Sequence, residues 1–199
     1  MNKMKKLKLS FNAPVTLTYI ILCFIATLLG VVSGGTISLL AFTTYSLQLL
    51  NPLSIVRCFS HVLGHVGWEH FFNNMMLIII LGPMLEEKYG KKTLIAMILL
   101  TGLATTLAIT LLFPTSGVIG ASGVVFAMIL LASYTSFEEG TIPVTFLLVF
   151  VFYIGREIIN GVFVNDNISQ LGHIVGGLVG SSIGFLANKK KRAKDVETS

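Results

Sequence analysis

Apolar runs long enough to cross a bilayer recur along this chain, and they restrict its fold more than any other feature. A membrane-crossing helix needs roughly 17–25 predominantly apolar residues. Inside hydrocarbon every backbone polar group must be satisfied within its own segment, so such runs predict helices rather than open sheets. The composition agrees. Of 199 residues, 54% are hydrophobic and 12% are charged, and the mean hydropathy is +0.84. The expected fold class is an all-α polytopic membrane protein: a helical domain over residues 14–187, flanked by basic tails at 1–13 and 188–199.

Six spans are expected, at about 14–33, 70–85, 93–113, 121–137, 143–160 and 170–187. The first is too long for the h-region of a signal peptide, which runs to roughly 7–15 residues, and is read as retained. Residues 36–50 are apolar but bounded by Gly34-Gly35 and Asn51-Pro52, with Ser, Thr and Gln scattered through them. That run suits an interfacial or re-entrant segment better than a crossing. With residues 51–69, which hold Arg57, His61, His65 and Trp68, it makes a long, partly membrane-embedded connection between the first two spans. Gly82-Pro83 is expected to kink or fray the last turn of the second span. Residues 86–92 are expected to form a charged loop, 138–140 a tight turn and 161–169 a polar loop.

The net charge of +5 comes from lysine-rich clusters at 3–8, 88–92 and 189–194, all beside apolar runs. This is topology-setting charge, not a face for nucleic acid. With six spans all three clusters fall on one side, so both termini are expected to be cytoplasmic in a multi-pass cell-membrane protein. Cys23 and Cys58 sit at different expected depths and are not expected to pair. His61, His65, Glu69 and His70 lack metalloprotease spacing, and no zinc-finger pattern occurs. No cofactor, metal or nucleic acid is expected, and the bilayer itself is the constant partner.

The same topology brings polar residues to one depth. His70, Ser122 and His173 all lie near the outer ends of inward-running spans, where a shared site would open to the extracellular side. A serine hydroxyl becomes a nucleophile when a positioned base takes its proton, and an imidazole titrates in the useful range. His70 and Asn74 are four apart and share a helix face. With the backbone N–H of Ser122 at a helix start, they are candidate donors to a developing oxyanion. Each residue also has a plain structural reading. Ser122 in Gly120-Ala121-Ser122-Gly123 suits close helix packing, Asn74 suits interhelical bonding, and Arg156 with Glu157 suits loop anchoring. An ionisable group such as His173 at a span start is a functional candidate by default. Gly176, Gly180 and Gly184 recur on one face of the last span. They would let the fourth span approach closely if Gly123 and Ala127 face them.

Taken together, these residues resemble the rhomboid intramembrane serine proteases, in the compact six-span form known from bacteria. Gly120-Ala121-Ser122-Gly123 is similar to their Gly-x-Ser-Gly motif, His173-Ile174-Val175-Gly176 to their His-x-x-Gly motif, and His70 to Asn74 to their His-x-x-x-Asn motif. The Trp-Arg pair of the family's first loop appears here as Val56-Arg57. The resemblance implies a Ser122–His173 dyad and an oxyanion hole from His70, Asn74 and Ser122. It also implies that Phe126 stacks on the base, where many members have tyrosine. Gly120, Gly123, Gly176 and Gly180 take packing roles. The implied reaction is hydrolysis of peptide bonds in or next to transmembrane segments of membrane-protein substrates. Asp166 is the nearest acidic residue before His173, with no reason to orient it, so a dyad is expected rather than a triad. The region of the fifth span and loop 161–169 is the implied substrate gate. The alternatives are an inactive rhomboid-like protein that binds membrane proteins, and a six-span transporter or channel.

Overall fold

The computed structural model describes residues 11–138 and 167–197, with positions 144, 147, 148, 151, 152, 155 and 159 between them. Most of the expected fifth span, including Arg156 and Glu157, and the loop through Asp166 lie outside the described residues. Seven helices have described bounds: α1 Pro14–Val32, α2 Thr36–Ala41, α3 Pro52–Ser60, α4 Trp68–Tyr89, α5 Lys91–Leu112, α6 Ser122–Glu138 and α7 Asn167–Glu197. Among the described residues, Pro14–Val32, Lys91–Leu112 and Gln170–Ala187 are long and apolar enough to cross a membrane. The apolar part of α6, Ser122–Ser133, is shorter.

α6 occupies the middle of the bundle. Its residues from Val124 to Ile129 are all buried, on every face, as expected for a helix surrounded by others. α4, α5 and α7 pack around it, with α7 making the most extensive contact. Ser122 therefore stands at the end of the innermost helix. The core continues through Ile78, Leu81 and Leu85 of α4 and Leu94 and Met97 of α5. Outward faces carry exposed Ile79, Ile80, Leu99, Leu100 and Leu178, the reverse of a water-soluble surface.

Several boundaries differ from the sequence expectation. The expected loop 86–92 is one residue, Gly90, whose φ of +81° turns α4 into α5. α4 does not fray at Gly82-Pro83 or stop near 85; it continues to Tyr89 with Pro83 inside it. Leu85 and Glu86 are both buried beyond the proline, so tertiary contacts hold the last turns in place. Gly82 is needed for a different reason: a Cβ there would collide with Thr16 of α1. Only six residues of the 36–50 run are helical, and Cys58, expected in a loop, lies in α3. α7 begins at Asn167, so His173 sits nearly two turns inside the helix rather than at its start. At its other end α7 continues past Ala187 to Glu197 without a break.

The α1–α4 contact shows how a helix end is completed across the fold. Ala13, at the α1 N-cap, supplies no side-chain hydrogen bond. The Glu86 carboxylate does so instead. It accepts from Val15 N–H at 3.0 Å, Thr16 N–H at 2.9 Å and the Thr16 hydroxyl at 2.9 Å. Leaving such buried donors unpaired costs about 1–3 kcal/mol each. We predict that Glu86→Ala lowers stability by about 3 kcal/mol and that Glu86→Gln, which keeps an acceptor, loses less. Thermal unfolding in detergent reads both. Equal midpoints for wild type and Glu86→Ala would rule out this cap.

Candidate active site

The segment before Ser122 is pinned from three directions. Thr44 and Val118 exchange both backbone hydrogen bonds, at 3.0 and 2.9 Å, in an isolated antiparallel bridge. Gly120 N–H donates to the His61 carbonyl at 3.0 Å. Gly120 itself has φ +140°, a conformation that favours glycine. A Cβ at Gly120 would lie 2.7 Å from Cε1 and 2.9 Å from Nε2 of His70. The His70 ring therefore lies against the backbone two residues before the serine.

His70 is held by its own neighbours in the first turn of α4. Its ring meets the His65 ring edge-on, with centroids 5.0 Å apart. His65 in turn packs edge-on against Phe71, and its Nδ1 lies 3.3 Å from the Thr27 hydroxyl and 3.2 Å from the Leu63 carbonyl. Asn74 is buried one turn below His70, and its Nδ2 donates to the His70 carbonyl at 3.0 Å. An amide nitrogen has two N–H groups, so one is engaged along α4 and the other is left for a second acceptor.

α7 approaches α6 backbone to backbone. A Cβ at Gly176 would overlap the Gly123 carbonyl, and one at Gly180 would overlap the Ala127 carbonyl. A Cβ at Gly123 would lie 3.2 Å from the Gly172 carbonyl and 3.3 Å from Thr101 Cγ2 of α5. Three helices thus converge beside the serine. Above this seam His173 is 6% exposed. Its ring lies flat on Phe126, with centroids 4.3 Å apart and planes 10° from parallel. Phe126 is one turn after Ser122 and shares its face. The stack therefore brings the imidazole to the side of α6 on which Ser122 stands. No contact places Arg156, Glu157 or Asp166, which lie outside the described residues.

Residues 52–190 match the Rhomboid domain family. The chain belongs to the rhomboid family. Over 143 residues it is 32% identical to Rhomboid-related protein 2 of Mus musculus, covering 65% of this chain and 47% of that protein. Over 146 residues it is 26% identical to the Putative rhomboid protease YdcA of Bacillus subtilis strain 168, covering 69% of this chain and 70% of the other. The chain thus spans about half the length of the mouse relative and more of the bacterial one. Family membership and the apolar helices make this rhomboid a multi-pass membrane protein.

Some residues that shape this rhomboid's site were not singled out from its sequence. Thr44 and Val118 carry no chemistry of their own, and their backbone pairing left no pattern to read. Thr101 and Thr105 face Gly123, and their buried hydroxyls have no hydrogen-bond partner among the described residues; their four-residue spacing on α5 was the available signal. His61, read as a polar loop anchor, bonds through Nε2 to the Gly102 carbonyl at 3.1 Å, while its own carbonyl holds Gly120. Arg57 Nε donates to the Leu40 carbonyl at 2.6 Å, and its guanidinium lies over Tyr45.

Burial lowers the pKa of His61 to about 4 and, with the neighbouring His70, that of His65 to about 3. Both imidazoles are therefore neutral in the folded chain at pH 7. Below the ordinary value of 6.5 the unfolded chain takes up protons that the folded one refuses, so stability falls as pH drops from about 6.5 toward 4. For His61 alone the loss amounts to about 3 kcal/mol. The expected result is a thermal midpoint that declines across this window, and less steeply in His61→Gln. A midpoint independent of pH from 7 to 4 would refute it.

Proposed function

We propose that this rhomboid is an intramembrane serine endopeptidase that cleaves peptide bonds in or next to transmembrane segments of membrane-protein substrates. The observation that carries the reading is the flat stack of His173 on Phe126, on the Ser122 face of α6. A buried histidine stacked on the residue one turn after a serine on a central helix suits a base for that serine.

In the proposed reaction Ser122 Oγ attacks the scissile carbonyl carbon and His173 accepts its proton. The carbonyl oxygen becomes an oxyanion. The Ser122 N–H at the start of α6, a His70 ring N–H and the second Asn74 amide hydrogen are its donors. The tetrahedral intermediate collapses, the C–N bond breaks, and His173 returns the proton to the leaving amine. Water then attacks the acyl-enzyme by the same route in reverse. Phe126 holds the plane of the imidazole, and the Gly123–Gly176 contact sets its distance. Within this reading both termini are cytoplasmic and the site opens to the extracellular side. Membrane proteins in the bilayer are the substrates, and residues 14–187 form the catalytic unit.

One probe tests activity and orientation together. In detergent, a fluorophosphonate should label wild type and not Ser122→Ala. Applied to intact cells, a membrane-impermeant form should still label wild type. Labelling that persists in Ser122→Ala would exclude Ser122 as nucleophile. No labelling of folded wild type would leave an inactive, membrane-protein-binding rhomboid as the better reading. Labelling in detergent but not on intact cells would reverse the orientation alone.

A further inference from the structure

α1 runs antiparallel to α4, and α4 turns directly into α5 at Gly90, so α1 and α5 run parallel with their N-termini at one end. Between them lies a groove of about 380 Å³. Pro14, Thr18 and Leu22 line one side; Lys91, Ile95 and Leu99 line the other. Each set recurs every four residues, one face of each helix. At 1.5 Å per residue the groove is about 12 Å long. It is mostly apolar, and among the described residues that line it Lys91, at one end, is the charged one.

The two helix starts at that end differ. α1 has an anion at its N-terminus, the Glu86 carboxylate. α5 has no side-chain cap and no acidic residue in its first turn, which begins Lys91-Lys92. Lysines at a helix N-terminus add positive charge to the positive end of the macrodipole, and an anion placed there is favoured by both. Glu86 also acts on Lys91, but its oxygens are taken up by the α1 donors. The occupant that fits is therefore long, apolar and anionic at one end. A free phosphate leaves the apolar length unfilled. We propose that the α1–α5 groove holds one anionic phospholipid, an acyl chain along Thr18, Leu22, Ile95 and Leu99 and its phosphate on Lys91.

Native mass spectrometry of protein released from nanodiscs of equal phosphatidylglycerol and phosphatidylcholine tests this. A basic side chain near anionic lipid is worth about 1 kcal/mol, which corresponds to about fivefold enrichment of phosphatidylglycerol in the bound lipid. Lys91→Gln should remove the enrichment. Ile95→Trp, which fills the groove, should reduce bound lipid of both kinds. Lys92→Gln, outside the lining, should leave both readouts at the wild-type level. Equal retention of the two lipids by wild type would overturn the proposal. So would Lys92→Gln losing as much enrichment as Lys91→Gln, or Ile95→Trp retaining as much lipid as wild type.

Discussion

Ser122→Ala and His173→Ala are each expected to lower kcat/KM for a transmembrane substrate by about a thousandfold or more, and the double variant to fall no further. The equality follows from the proposed chemistry. A serine without its base is a weak nucleophile, and a base without the serine has no proton to move, so either deletion removes the same step. Steady-state cleavage in proteoliposomes by the three variants reads the cycle. Losses that multiply would mean that the two residues act independently and would exclude the dyad. Phe126→Ala provides a graded control. It leaves both reacting groups but frees the imidazole plane, so a smaller loss in kcat with little change in KM is expected.

The second large effect is on the seam that brings those groups together. Gly176→Ala is expected to lower stability by about 3 kcal/mol, the upper part of the range for overpacking a close-packed interface. The added methyl would land on the Gly123 carbonyl, which is backbone and has no rotamer to adopt. α7 must then move away from α6 and take His173 with it, so fluorophosphonate labelling should fall as well. The adjacent Gly177→Ala is the control, because a Cβ there would meet the Leu130 side chain at ordinary contact distances, Cγ at 3.7 Å and Cδ2 at 3.9 Å. A midpoint for Gly176→Ala equal to that of Gly177→Ala would show that the seam yields.

What could be read in advance followed from local chemistry. Pro14 begins α1 because its missing N–H is harmless in a first turn. The glycines of α7 recur every four residues, so a close-packing face was legible, and its expected partners Gly123 and Ala127 are the residues it meets. The chain length of the α4–α5 connection was not legible. Lysines and glutamates at 86–92 look like a solvated loop, yet Glu86 is buried because its partners are donors some seventy residues earlier. Residues 36–50 were legible from their boundaries: they are apolar but do not cross, and Gly35 and the Thr44–Val118 bridge confine their helix to Thr36–Ala41. The position of His70 against Gly120 depends on a backbone angle that only glycine tolerates well, and no spacing rule carries that information.

The Thr44–Val118 bridge and the Gly120 N–H bond to His61 also bear on how this site can be moved or rebuilt. The posture of the segment leading into Ser122 is set from outside its own helix, by backbone atoms contributed some 60 to 75 residues upstream. A transplant of 113–126 alone would carry the sequence of the motif into a new scaffold without its geometry. The smallest portable unit includes the strand-like stretch around Thr44 and the turn at His61. Engineering of the connection between α2 and α3 therefore acts on the serine as directly as a change in α6 does.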